Sequence, residues 1–93
     1  MYSVSREFLQ KVIEKNGEKA QLVVAMEEMA ELIKELSKAY RGKGNVYSIA
    51  EEIADVEIML EQLRIIFSIS TEIDDWKIIK LNRIKQRMES DIL

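Results

Sequence analysis

Apolar residues recur along most of this chain at the three-and-four spacing of amphipathic helices, and breaks in that rhythm divide it into four segments. The first carries Phe8, Leu9, Val12 and Ile13, can be capped by Ser3 or Ser5, and closes at Asn16-Gly17. The second runs from about Glu18 to Arg41 and stops at the loop Gly42-Lys43-Gly44-Asn45. Val46-Tyr47 then reads as a hydrophobic staple ahead of Ser48-Ile49-Ala50-Glu51, a capping box that opens a third helix reaching about Phe67. Ser68 to Thr71 breaks the pattern again. Ser70 or Thr71 can cap the fourth helix, Glu72, Asp74 and Asp75 favour its N-terminus, and it ends near Ser90. There is no proline, and the three glycines, at 17, 42 and 44, all fall at the breaks. The expected class is all-α, a four-helix protomer forming one domain over residues 1–93.

The two central helices are apolar over more of their circumference than a single contact requires. Helix two carries Leu22, Met26, Met29, Ile33 and Leu36 on one stripe, with Val23, Ala30 and Ala39 on another. Helix three carries Ile49, Ile53, Val56, Leu60, Leu63 and Phe67, with Ile58, Ile65 and Ile66 off that line. Ninety-three residues offer few other elements to cover them, so a helical dimer built on these two helices is expected.

Composition narrows the chemistry. The chain is 47% apolar and 33% charged, which suits a globular domain rather than a disordered one. A net charge of −3 supplies no general attraction to nucleic acid or to an anionic membrane, and neither is expected as a partner. Without cysteine or histidine, thiol nucleophiles, Ser-His catalysis, the common zinc sites and the Glu-x-x-His di-iron bundle are excluded. Any metal must be held by oxygen, which points to Mg²⁺, Mn²⁺ or Ca²⁺. The first residues hold no apolar leader-like run and no segment is long enough to span a bilayer, so a cytoplasmic protein is expected.

Two acidic clusters stand inside these apolar helices, Glu27-Glu28-Met29-Ala30-Glu31 and Glu51-Glu52-Ile53-Ala54-Asp55. Residues three apart lie within about 60° of each other on a helix, so Glu28 and Glu31 share one side of helix two, and Glu52 and Asp55 one side of helix three. A single E-x-x-E pair is most often a solvated face or a salt-bridge partner. Two such pairs in core-like runs, with no basic residue within four positions of Glu52 or Asp55, form a candidate four-carboxylate site. Four converging carboxylates become favourable only around a cation, and Mg²⁺ accepts a few carboxylates while keeping waters for a phosphate substrate. The levels do not match in a simple hairpin. Glu31 lies about 15 Å before the end of helix two, and Asp55 about 10 Å into helix three. Either the Gly42–Tyr47 loop climbs back along helix two or that helix overhangs by about a turn.

The arrangement E-E-x-x-E followed by E-x-x-D, here Glu27, Glu28, Glu31, Glu52 and Asp55 with 20 residues between Glu31 and Glu52, resembles the signature of the MazG-like nucleoside triphosphate pyrophosphohydrolases of the all-α NTP pyrophosphatase superfamily. The resemblance runs from about Gln21 to Arg87. It implies a four-helix MazG-like protomer in a helical-bundle dimer or dimer of dimers, so a homodimer or homotetramer. It also implies Mg²⁺, for which Mn²⁺ can substitute, on Glu28, Glu31, Glu52 and Asp55. The activity implied is hydrolysis of NTPs or dNTPs at the α-β phosphate bond to the monophosphate and pyrophosphate.

Helix four places Lys80, Arg83 and Arg87 on one face. A solvated basic face near a helix C-terminus explains such a stripe equally well as a phosphate contact does. The family commonly uses basic residues and an asparagine late in this helix against the triphosphate, which carries Lys80, Asn82, Arg83 and Arg87 forward as substrate-binding candidates. Glu27, or one of the metal ligands, would accept the proton of the attacking water. Two rival readings are a non-catalytic helical module whose acidic face binds a basic partner, and a nucleotide-binding relative without turnover.

Overall fold

The computed structural model describes residues 5–92, so the alternative cap at Ser3 lies outside the described residues. Four helices follow in order: α1 (Arg6–Asn16), α2 (Glu18–Tyr40), α3 (Val46–Phe67) and α4 (Ser70–Ile92). Among the described residues there is no strand, and no helix is long and apolar enough to cross a membrane.

Ser5 opens α1 as expected, its Oγ accepting the Phe8 N–H at 3.3 Å. Gly17 alone separates α1 from α2. Its N–H donates to the Ile13 carbonyl, its own carbonyl accepts from Gln21, and its φ of 93° is a conformation that a side chain disfavours. The corner folds α1 back so that Leu9 and Ile13 are buried against α2 and α3.

The α2–α3 hairpin is the main packing unit, and its loop resolves the mismatch of levels. The Lys43 N–H donates to the Lys38 carbonyl at 2.9 Å, and Gly44 lies directly on Ala39, so the chain climbs back along the last turn of α2. Helix α3 then opens three residues earlier than the capping-box pattern indicates. Asn45 caps it, with Oδ1 accepting from the N–H groups of Tyr47 (2.8 Å) and Ser48 (3.3 Å). An asparagine just outside the helix satisfies two end donors at once, which places Ser48 and Glu51 inside the first turns instead of at the cap.

Rotation of the central helices departs from the apolar stripes. Toward α3, α2 turns Gln21 and Ala25, which are buried, and Glu28, Leu32 and Glu35, which are half-buried. Met26, Ile33 and Leu36 stay exposed, as do Ile53, Leu60 and Phe67 on α3. Among the described residues the buried apolar set is Leu9, Ile13, Ala25, Val56 and Met59.

Helix α3 ends in a Schellman closure: Ser68 sits in the left-handed region (φ 54°), its N–H donates to Ile65, and the Ile69 N–H donates to Arg64. The Arg64 guanidinium holds the start of α4 through the Ser70 carbonyl (3.3 Å) and the Asp74 carboxylate (3.0 Å). Beyond that anchor α4 runs free, and every residue from Asp74 to Asp91 is exposed. The radius of gyration is 16.6 Å, against about 12 Å for a compact domain of this length.

Replacing Gly44 by alanine would set a methyl group 2.6 Å from the Ala39 Cα, a backbone atom that cannot swing away. We expect a loss of about 1–3 kcal/mol in chemical denaturation, the cost of forced overpacking. An unchanged midpoint would show that the loop does not need its close approach to α2.

Candidate metal centre

The antiparallel register of α2 and α3 decides which carboxylates meet. Near one end of the seam, the buried side chains of Gln21 and Gln62 are joined by a hydrogen bond from Nε2 to Oε1 at 2.6 Å. Seven residues on along α2 is Glu28, and seven back along α3 is Asp55. Two helical turns bring each nearly to the same face, so the register that pairs the glutamines also pairs these two acids. One turn before Asp55, Glu52 joins them. One carboxylate oxygen from each of Glu28, Glu52 and Asp55 lies within 4.8 Å of the other two.

All three side chains are half-buried, and Glu52 Oε2 is shut off from solvent with no hydrogen-bond donor. Glu28 has its pKa raised, first by loss of solvation, then by the charge of Asp55 and a hydrogen bond with it, and by Glu52 and Glu31. Glu52 is raised likewise, first by loss of solvation and then by Asp55, Glu31, Glu51 and Glu35. No cationic side chain offsets this. The ion pairs of the described residues are Lys38–Glu35, Arg64–Glu61 and Arg64–Asp74, and none reaches the three acids.

Glu31 is exposed and outside the three-atom cluster, yet close enough for its charge to act on both Glu28 and Glu52. Glu27 is exposed, and its charge is not among those that raise Glu28 or Glu52. Glu35 and the two glutamines were not singled out by motif. Glu35 lies seven residues after Glu28 and Gln21 seven before it, a spacing that marks one face of α2 and was available as a signal.

Helix α4 keeps its basic stripe together: Lys80, Arg83 and Arg87 line one shallow depression with Ile84, and Arg83 lies over the Trp76 ring at 6.0 Å. Asn82 is exposed and does not line it. Helix α4 meets α3 but neither α1 nor α2, and no ion pair joins the stripe to the carboxylates among the described residues. Within one chain the two groups of candidate residues are therefore separate.

An oxygen-only donor set, three convergent carboxylates and a dry unpartnered oxygen fit a hard divalent cation such as Mg²⁺ or Mn²⁺. Comparison with protein-family models, with curated proteins and with solved structures gave no match.

Because folding raises the pKa of Glu28 and Glu52, the native state holds their protons to higher pH than the unfolded chain does. Their contribution to stability therefore falls as pH rises from the ordinary carboxylate range through the raised values. Melting curves in chelator should show the midpoint falling over that window. Excess Mg²⁺ binds the deprotonated form and should remove or reverse the trend. Identical pH profiles with and without the cation would be incompatible with a metal centre here.

Proposed function

We propose that this chain is a Mg²⁺-dependent nucleoside triphosphate pyrophosphohydrolase, cleaving the α-β bond of NTPs or dNTPs to release the monophosphate and pyrophosphate. The observation that carries the reading is the convergence of Glu28, Glu52 and Asp55 around a desolvated, unpartnered carboxylate oxygen, with no ion pair to these acids among the described residues. The resemblance of the E-E-x-x-E and E-x-x-D pattern to the MazG-like enzymes supplies the substrate class. When bound, the cation would provide a polarised water and positive charge for phosphate oxygens. Glu28, Glu52 and Asp55 would hold it, with Glu31 on the exposed flank of α2 as the fourth carboxylate. Glu27, or one of the ligand carboxylates, would take the proton from the attacking water. Lys80, Arg83 and Arg87, with Asn82 on the same helix, would bind the outer phosphates and steady the departing pyrophosphate once assembly brings this stripe to the carboxylates, from which it stands apart within one chain.

The active form in this reading is a homodimer or homotetramer. One protomer exposes 7768 Å², about 2,200 Å² more than a compact monomer of its mass. A standard interface takes only about 800 Å² from each partner. Met26, Ile33, Leu36, Ile53, Leu60 and Phe67, together with Leu81, Ile84 and Met88 on α4, are the apolar surface a second copy would cover. Against a simple acidic docking module stands the half-burial of the three acids between helices, where a basic partner's side chains reach poorly.

Glu52→Gln and Asp55→Asn should abolish Mg²⁺-dependent pyrophosphate release and the Mg²⁺-induced rise in Tm, while melting no lower than the parent in chelator. Lys80→Ala and Arg83→Ala should lower kcat/KM and leave the Mg²⁺ shift in place. Carboxylate variants that melt lower in chelator and still respond to Mg²⁺ like the parent would remove the site. A parent that responds to Mg²⁺ but hydrolyses no member of an NTP panel would leave a nucleotide-binding relative without turnover.

Sedimentation at micromolar concentration should show a dimer or larger species, and Ile33→Glu or Leu81→Glu should shift it toward monomer. A well-behaved parent monomer would leave the proposed site without its second wall.

A further inference from the structure

The buried amides at the end of the α2–α3 seam carry an inference about how the carboxylates are placed. Gln21 and Gln62 are 5% and 3% exposed, the two buried polar side chains among the described residues, and they bond to each other at 2.6 Å. Asn16, at the end of α1, completes the chain by donating from Nδ2 to Gln21 Oε1 at 3.2 Å. Their neighbours in the seam, Ala25, Val56 and Met59, make apolar contacts that tolerate sliding and rotation. A buried amide does not. A shift of one residue along either helix would leave donor and acceptor unpaired in a dry seam, a large penalty compared with a small change in apolar contact.

The carboxylates themselves cannot set this alignment. Glu28, Glu52 and Asp55 lose solvation and repel one another, so they act to part or rotate the helices at their own level. Something else must hold Glu28 opposite Asp55 before a cation arrives. The glutamines lie seven residues from each of these acids, and seven residues return to the same helix face within about 20°. Fixing one level therefore fixes height and rotation at the other.

We propose that Gln21 and Gln62 are positioning residues for the carboxylate centre, locking the α2–α3 register that assembles it in the metal-free protein. The proposal rests on the metal-centre reading for its functional meaning, but its structural content can be measured separately. The chain has no cysteine, so Lys34→Cys on α2 and Glu57→Cys on α3, both at exposed positions, can carry one pair of spin labels per protomer, and dilution with unlabelled protein leaves one labelled protomer per assembly. Inter-label distances are compared, in chelator, between this otherwise native protein and one also carrying Gln21→Leu and Gln62→Leu. Replacing both partners by apolar groups of similar size leaves no buried amide unpaired, since Asn16 is exposed and turns its amide to solvent, and folding is retained. Should that double variant fail to fold, Gln21→Met together with Gln62→Met takes its place.

The expected result is one narrow distance distribution in the parent and a broadened or displaced one in the variant. Mn²⁺ binding, followed by the metal's own electron paramagnetic resonance signal, should weaken at least tenfold while the chelator Tm stays level or rises. An unchanged distance distribution overturns the proposal, whatever the metal does. So does a changed distribution with unchanged Mn²⁺ affinity. If the parent itself binds no Mn²⁺, the metal-centre reading fails instead, and the distance comparison alone decides whether the glutamines hold the register.

Discussion

Helices α2 and α3 close on each other through their more polar faces, and the rest of the structure follows from that seam. Gln21, Ala25 and Glu28 on one side meet Asp55, Met59 and Gln62 on the other. Directional hydrogen bonding between the two amides gives the seam a defined register, which the few buried apolar side chains could not give alone. At the far end, Gly44 rests on Ala39, so the loop returns along α2 and delivers α3 at the height where Glu52 and Asp55 face Glu28. The carboxylates are bracketed by the amide pair on one side and this backbone contact on the other.

Such a seam is costly while no cation is bound. The acids give up solvation without gaining a basic partner, and Glu52 keeps an oxygen with no donor at all. A fold selected only for stability would exchange these groups for apolar ones, since pairs of buried charges rarely repay their desolvation. Here the charges are all of one sign, and the usual compensation by a salt bridge is missing. The arrangement makes physical sense if a divalent ion completes it, which is the basis of the functional proposal.

Turning these faces inward leaves part of each apolar stripe outside, although Val56 is buried and Leu22, Met29, Ile49 and Leu63 are half-buried. Met26 and Ile33 on α2, and the long run of α4 beyond the Arg64–Asp74 anchor, stand in solvent in a single protomer. On α4 an apolar line through Leu81, Ile84 and Met88 runs beside the line of Trp76, Lys80, Arg83 and Arg87. A surface covering the first line would present the second at its rim, so assembly and phosphate recognition are coupled in the proposed oligomer.

The periodicity of apolar residues, the absence of proline and the glycines at 17, 42 and 44 were enough to locate four helices, because helix starts and stops are local chemistry. Ser5 and Gly17 act as the pattern indicates, whereas Asn45 displaces the expected cap at Ser48, since competing local caps differ by too little to be ranked without geometry. Acid spacing paired Glu28 with Glu31 and Glu52 with Asp55, because residues three apart share a helix face, whereas the meeting of Glu28 with Glu52 and Asp55 comes from the pairing of the two helices. Helix rotation was not legible. Both the apolar and the acidic faces of α2 repeat at helical spacing, and which one turns inward depends on long-range contacts such as Gln21–Gln62, 41 residues apart in the chain. The same holds for Glu31, which shares a face with Glu28 in sequence but is left at the exposed edge once the helices have chosen their register. Likewise, only the direction α4 takes after Ser68 decides that its basic stripe stands apart from the carboxylates of its own chain. Local spacing dictates what each helix offers, and the pairing of distant faces decides what it uses.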